Sequence, residues 1–524
     1  MSQTLFKKIT YFTLSALASL LTACTVGPDY VRPTVQAPAK YKEAPKNWKV
    51  AHPKDIYDRG TWWTMFHDRQ LSKLESQLNI TNQTILNAAA QYQVARAMVD
   101  EALANYYPTV TASATVTRQK QGSSGSGTFV TSATSSTSAT SSSSSSTSTS
   151  TSGAAAGSAS AGSTGAFSTG GSNGSNPSTS HSLFVDATWE PDIWGAVRRQ
   201  VEANADSAQA SAALLASVRL SSQATLAQDY FMVRALDNDQ KIFDDTVKDD
   251  RKAYQITVFR YKSGVAAQTD VIQAQTQLES AEATAINNGI TRAQLEHAIA
   301  VLINLPPANF KLTAVPCKQS PPKVPLEIPS ELLERRPDVA QEERLAAQAN
   351  AQIGVAISAF YPTVNLSATG NVTNPGLAHW FSLPALSWAL GSQVADTIFD
   401  GGLRAATVAA ARANYTATVA TYRQTVLTAF QNVEDNLASL RILEREAVVQ
   451  DKAAKDAVHA LKLIINEYKA GTVVYTDVIT AQNTALTAQQ VASDVHGQEM
   501  TSAVNLIKAL GGGWQVSSIE NAAG

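Results

Sequence analysis

Two aspartates occupy matched places in a sequence that repeats itself. Tyr261-Lys262-Ser263-Gly264 leads to Thr269-Asp270-Val271-Ile272, and Tyr468-Lys469-Ala470-Gly471 leads to Thr476-Asp477-Val478-Ile479, with the same spacing and no gap. A carboxylate shortly after a glycine turn has two uses. It accepts amide N–H bonds at a helix start, and Asp270 with Gln273 has the spacing of a capping box. Multiplied by assembly, it forms a ring of carboxylates that favours cations. Tyr261 and Tyr468 are able to pack between helices. Lys262 and Lys469 flank the turn glycines, where a cation suits the end of a helix. Nothing in the chain is ordered for catalysis or metal binding. The seven histidines are scattered, no Ser-His-Asp or Cys-His order occurs, and Gly511-Gly512-Gly513 lacks the Lys-Ser/Thr of a phosphate cradle. Cys317 is a lone thiol. No catalytic residue, metal or cofactor is expected.

The composition narrows the class. A net charge of -2 and few charged residues give no electrostatic ground for nucleic acid. Lys7-Lys8, a short apolar run from Tyr11 to Leu21, and Leu21-Thr22-Ala23-Cys24 read as a signal peptide over 1–23. The run is too short to span a bilayer. Cleavage before Cys24 leaves a thiol and an amine for acyl chains, and two or more chains give stable anchoring. The residue after it is Thr25. The plain alternative is a secretory leader with an accidental cysteine.

The elements that must hold the aspartates come in two copies, and such self-similarity has to be found before motifs are read. Residues 24–67 are rich in proline and read as an extended tether. From Asp68 to Tyr107 neither Gly nor Pro occurs, which predicts one long helix ending at Tyr107-Pro108. The period then falls to 2. Val110, Ala112, Ala114 and Val116 alternate with polar neighbours, as do Val364, Leu366, Ala368 and Val372 after Tyr361-Pro362. Return strands run through Leu183, Val185, Ala187 and Trp189, and through Trp388, Leu390 and Val394. Strands of this length, apolar on one face and polar on the other, suit a transmembrane β-barrel with a wet lumen, and equally a soluble sandwich. No Gly or Pro lies between Gly195 and Gly264 or between Gly402 and Gly471, so each stretch is a helix of roughly 65 residues, ~100 Å long. Return helices follow, Asp270 to Leu305 and Asp477 to Leu510.

The first repeat thus covers 68–305 and the second 331–511, joined by a Pro-rich connector at 306–330 and followed by a tail at 512–524. Pro337 sits near the first turn of the second copy's first helix. Residues 122–180 have no counterpart. They are almost all Ser, Thr, Gly and Ala, cannot bury apolar surface, and read as a disordered insertion in the first strand-to-strand loop. Four strands per chain cannot close a barrel, and open edges do not survive in lipid. The strands must pair with further copies.

These residues resemble a known family. Cys24, Gly27-Pro28-Asp29-Tyr30, Trp62-Trp63, Glu334-Arg335-Arg336-Pro337-Asp338, Gly354 with Phe360-Tyr361-Pro362, and both Tyr-Lys-x-Gly turns are similar to the TolC-type outer-membrane efflux lipoproteins of the NodT-like branch. The resemblance spans the mature chain. It implies an α+β membrane protein, a homotrimer whose twelve strands close an outer-membrane β-barrel continued by a periplasmic α-helical barrel, anchored in outer-membrane lipid through Cys24. It implies a periplasmic adaptor and an inner-membrane pump of the RND type as partners, with the 122–180 loop extracellular. It implies that the helix turns form a periplasmic gate built on Asp270, Asp477, Tyr468 and Thr269, with Asp270 meeting Tyr468. Tyr261, Lys262, Gly264, Lys469 and Gly471 then become adaptor contacts. A carboxylate ring would make the closed tip pH-sensitive. Trp62 and Trp63 suit packing better than an interfacial belt. The expected function is a passive exit duct for small toxic compounds. The competing reading is a lipid-anchored adhesin or stalk, against which the duplicated hairpin counts.

Overall fold

The computed structural model describes residues 26–35, 38, 41–43, 59–119, 178–316, 321–322, 336–374 and 386–512. The expected leader, Cys24, Cys317, residues 120–177 and the tail beyond 512 lie outside these residues. The chain divides into two compact units, one of residues 108–189 and 365–393 and one made of the rest.

The smaller unit is a four-stranded antiparallel sheet in the order β1-β2-β3-β4, with β1 at Thr109–Gln119, β2 at Ser178–Trp189, β3 at Thr363–Asn374 and β4 at Leu386–Ala395. Its register sorts the faces. Ala114, Leu183 and Val372 lie in one row, Ala112, Val185 and Gly370 in the next, and Val110, Ala187 and Ala368 in a third. The alternate rows are polar, such as Thr115, Ser182 and Thr373, in which Thr115 Oγ1 lies 2.6 Å from Ser182 Oγ. A period of two across three registered strands gives one apolar and one polar face. The apolar side chains stand uncovered in the single chain, Val110 at 63% exposure and Leu390 at 74%. Ser178 to Ser180, assigned to the Ser-rich insertion from composition, belong to β2. Their ladder to Thr117, Arg118 and Gln119 overrides the low apolar content.

The larger unit is helical, and three of its helices recur with matched lengths. α1 spans Arg69–Thr81, α2 Gln83–Ala104, α3 Ala196–Lys262, α4 Gln268–Leu302, α5 Pro337–Ser358, α6 Leu403–Ala470 and α7 Tyr475–Ala509. α2 and α5 have 22 residues each, α3 and α6 have 67 and 68, and α4 and α7 have 35 each. α3 packs on α2, α4, α5 and α7, and α6 on α5 and α7. Pro337 takes the first helical position of α5. No described helix is long and apolar enough to cross a membrane.

One expected helix is two. The run from Asp68 to Tyr107 breaks at Asn82, whose backbone turns to φ -64°, ψ 121°. Its Oδ1 accepts from Ile85 N–H at 3.0 Å, and its Nδ2 donates to Leu302 O at 2.7 Å. Asn is a strong N-cap, and here it also satisfies a carbonyl at the end of α4. Continuous apolar spacing hid that break.

Trp62 and Trp63, in a short 3-10 helix at Arg59–Phe66, are buried in the main core with Phe66, Phe231 and Leu226. Trp62 Nε1 donates to Gln223 Oε1 at 3.1 Å, and the Phe66 and Phe231 rings lie 4.8 Å apart. This is packing, as expected, and not an interfacial belt. The described part of the tether is a strap and not a loose spacer. Arg199 donates to the carbonyls of Val26 and Gly27 and pairs with Asp29 at 2.8 Å. Asn350 Nδ2 donates to Pro28 O, Tyr30 Oη to Glu343 Oε1, and the N–H groups of Lys42 and Glu43 to the Glu434 carboxylate. Gly354 is where the strap crosses α5. A Cβ there would stand 2.8 Å from Arg199 Cγ and 2.9 Å from Val26 O, so only glycine admits the crossing. The described connector is pinned in the same way, by Arg234 on Thr313 O and Arg292 on Leu312 O, with both arginines paired to Asp237.

Candidate functional site

The two Tyr-Lys-x-Gly turns have one backbone solution. In the first, Val265 N–H donates to Arg260 O at 2.9 Å and Gly264 N–H to Tyr261 O at 2.9 Å; in the second, Thr472 N–H donates to Glu467 O at 3.1 Å and Gly471 N–H to Tyr468 O at 3.0 Å. These are the paired bonds of a Schellman ending. They need a left-handed residue at the glycine, where φ is 74° for Gly264 and 83° for Gly471. The conformation explains the repeated glycine without reference to any partner.

The aspartates follow in matched positions. Each is the third residue of its helix, with Asp270 N–H on Ala267 O and Asp477 N–H on Val474 O, both at 3.2 Å. The N-cap residues are Ala267 and Val474, and neither helix has a side-chain cap. The expected capping box of Asp270 with Gln273 is therefore absent, because the helix begins two residues earlier than the carboxylate. What remains of that reading is the favourable placement of an anion in a helix's first turn. Asp270 is half-buried and Asp477 exposed, and Thr269, Lys262 and Lys469 are exposed. Tyr261 stands out at 45% exposure.

Tyr468 behaves differently, and not as the resemblance implied. At 5% exposure it lies in a small cluster with Tyr475, Val478, Ala253 and Ala274. Its hydroxyl lies 3.2 Å from Thr257 Oγ1 rather than on the Asp270 carboxylate. Its ring meets Tyr475 edge-on at 5.4 Å and carries the Arg260 guanidinium 4.6 Å above its centre. Arg260 Nη1 also donates to Tyr468 O at 2.5 Å and to Lys469 O at 3.3 Å. Arg260, one residue before the tyrosine of the first repeat, lies just outside the repeated motif. The signal was present: the copies read Arg260-Tyr261-Lys262 and Glu467-Tyr468-Lys469, and a charge reversal inside a repeat marks a place where the copies do different work.

Further polar links join the two repeats above the turns. Gln482 Nε2 donates to Asp250 Oδ1 at 2.6 Å, and Gln277 Nε2 to Asn483 Oδ1 at 3.0 Å. Burial pushes Asp250 up to about 6. Burial also raises the Tyr475 phenol, with the charges of Asp250 and Asp270 adding to the effect. The turns thus bring together Asp270, Tyr468, Tyr475 and Arg260 from both copies. Asp477 and Thr269 stay on the surface of the single chain.

Comparison with known proteins gives a consistent match. The family described as "Outer membrane efflux protein" matches residues 74–305 and 328–512. A "Probable efflux pump outer membrane protein TtgC" of Pseudomonas putida is 26% identical over 510 residues, covering 96% of this chain and 95% of that protein. A "Probable outer membrane lipoprotein SilC" of Salmonella typhimurium is 23% identical, covering 97% of this chain and 99% of that one. Among solved structures, the outer-membrane channel OprN superposes with a TM-score of 0.77 at 25% identity, covering 94% of this chain and 100% of that one.

Proposed function

Because the chain belongs to the outer membrane efflux protein family, we propose that it is the passive exit duct of a tripartite efflux system and carries small toxic compounds across the outer membrane. The observation that carries this reading is the four-stranded sheet, apolar on one face and polar on the other, joined in the same chain to a duplicated set of helices ~100 Å long. Three chains would supply twelve strands, closing the edges that lipid does not tolerate. A duct of this kind uses no energy of its own. An inner-membrane pump of the RND type delivers the cargo, and a periplasmic adaptor joins pump to duct. The adaptor would meet the turns at Tyr261, Lys262, Gly264, Lys469 and Gly471, which are exposed apart from the backbone they share. Asp270, Asp477, Thr269 and Tyr468 would line or brace a gate at the same turns. Cys24 would carry the acyl chains two residues before the strap begins at Val26, and the 120–177 connection between β1 and β2 would face the cell exterior.

The test is a deletion strain challenged with a broad panel of toxic compounds and complemented with wild type. Hypersensitivity to a subset, rescued by wild type, is the expected outcome and names the cargo. Unchanged resistance, together with no conductance of the pure protein in a planar bilayer, would point to a stalk or adhesin instead.

A further inference from the structure

We propose that neighbouring copies join through a seam that reproduces the chain's own β2–β3 pairing, so that Gln393 of one subunit stands opposite Thr115 of the partner subunit. This rests on the duct reading above.

The repeats keep two fixed offsets. Gln83–Ala104 recurs as Pro337–Ser358, 254 positions on, and Gln268–Leu302 recurs as Tyr475–Ala509, 207 positions on. The strands follow the helices they adjoin. Thr109, first in β1, recurs as Thr363, first in β3. Both hairpins share one register. Ser180 Oγ donates to Thr117 O at 3.5 Å, and at the matching places Ser387 Oγ donates to Asn371 O at 3.2 Å. Ser113 stands opposite Phe184, and the matching Ser367 lies against Gly391, where an added Cβ would stand 3.0 Å from its Oγ. The hairpins are therefore equivalent units, and the chain contains one junction between them. There β2 pairs with β3, Asp186 opposite Thr369 and Phe184 opposite Asn371. The outer strands β1 and β4 are the edges of the sheet. Moved by the same two offsets, the β2–β3 register sets β4 against β1 of the next copy, with Gln393 opposite Thr115 of the partner subunit and Gly391 opposite Thr117 of the partner subunit.

The two faces agree with this register, although they played no part in finding it. Gly391 shares the polar face with Ser367, so Ser387 and Gln393 share it too, and Trp388 and Leu390 lie on the other. Thr115 and Thr117 lie on the polar face of β1. The pairing joins polar to polar and apolar to apolar, whereas a slip of one residue would set Leu390 in a polar row. One place differs between the seams. Inside the chain, Trp194 stacks on Tyr361 at 5.0 Å and donates to Pro362 O at 2.7 Å. The offsets carry Tyr361 back to Tyr107 and Trp194 on to Gly401, which has no ring. Tyr107 is left 72% exposed, and Phe399, two residues before Gly401, 88% exposed. Phe399 of one subunit covers Tyr107 of the partner subunit in the indole's place.

The test is disulfide formation between subunits of the full-length protein in a Cys317→Ser background. Gln393→Cys/Thr115→Cys should give covalent dimers and trimers under an aqueous oxidant, and the parent without the pair should give none. Gln393→Cys combined with Ser113→Cys or Thr117→Cys should link at least about tenfold more slowly, because diagonal neighbours stand about 7–8 Å apart, beyond the reach of a disulfide. If the first pair fails to assemble, Ser392→Cys/Val116→Cys asks the same question on the apolar face. Phe399→Ala should lower the temperature at which the trimer dissociates in detergent. The register is overturned if a slipped pair links an assembled trimer as fast as the Gln393 pair does. The role of Phe399 is overturned if its alanine variant dissociates at the wild-type temperature. If the parent protein stays monomeric in the membrane, the duct reading itself fails and the seam falls with it.

Discussion

Glu75 has 0% exposure on α1, among Leu71, Leu74 and Leu78, and neither carboxylate oxygen has a partner. Burial pushes it up to about 9 from 4.5. The folded protein therefore keeps a proton that the unfolded chain releases near the ordinary carboxylate range. With more protons bound in the native state, stability falls as pH rises between those two values. Glu75→Gln removes the ionisation and should melt higher than wild type at pH 8, by about 1–3 kcal/mol. The advantage should shrink toward pH 5; an advantage that does not vary with pH would show that Glu75 does not titrate in this way. Glu75 is not identifiable from sequence, for a physical reason. A side chain's partners across the bundle are set by how helices nest, and periodicity places an individual residue on a face without naming what stands opposite. Asp270 and Tyr468 are legible because their types and spacing repeat, whereas the contacts of Tyr468, with Thr257, Tyr475 and Arg260, are not.

Helix pairs add their own chemistry. On α7, His496 Nδ1 lies 3.0 Å from Glu499 Oε2 and its Nε2 lies 3.1 Å from Asp451 Oδ1 on α6. Burial works against the charged ring, but the hydrogen bonds and charges of the two carboxylates outweigh it and raise the imidazole above its ordinary value. The bridge is then fully formed below that ordinary value and is lost as pH rises through the raised one. His496→Gln should lower the melting temperature at pH 6 and leave it unchanged at pH 9; equal losses at both would indicate packing instead of charge. At this scale the sequence was largely readable. Unbroken runs without Gly or Pro gave α3 and α6, and alternation gave the strands. The break at Asn82 escaped because the carbonyl that rewards it, Leu302 O, lies 220 positions away.

Over the whole chain, the duplication was plain and the strap was not. A proline-rich segment without periodicity reads as a spacer, and the groups that hold it, from Arg199 to Glu434, lie on helices far along the sequence. Gly354→Ala tests how firmly the strap is held. Its Cβ would displace Arg199 or the strap itself, so chymotrypsin should cut after Tyr30, which bonds Glu343 on α5, markedly faster than in wild type while the helical content stays the same. Unchanged cleavage would mean that the crossing adapts.

The strap also sets the order in which the molecule forms. Lys42 and Glu43 find their partner in Glu434, 392 and 391 residues on, and such separations slow the contacts that close last. Lys42 and Glu43 therefore have no partner until α6 has been made, whereas Val26 to Tyr30 find theirs earlier, on α3 and α5. The native state is complete only when this part of the strap settles onto α6.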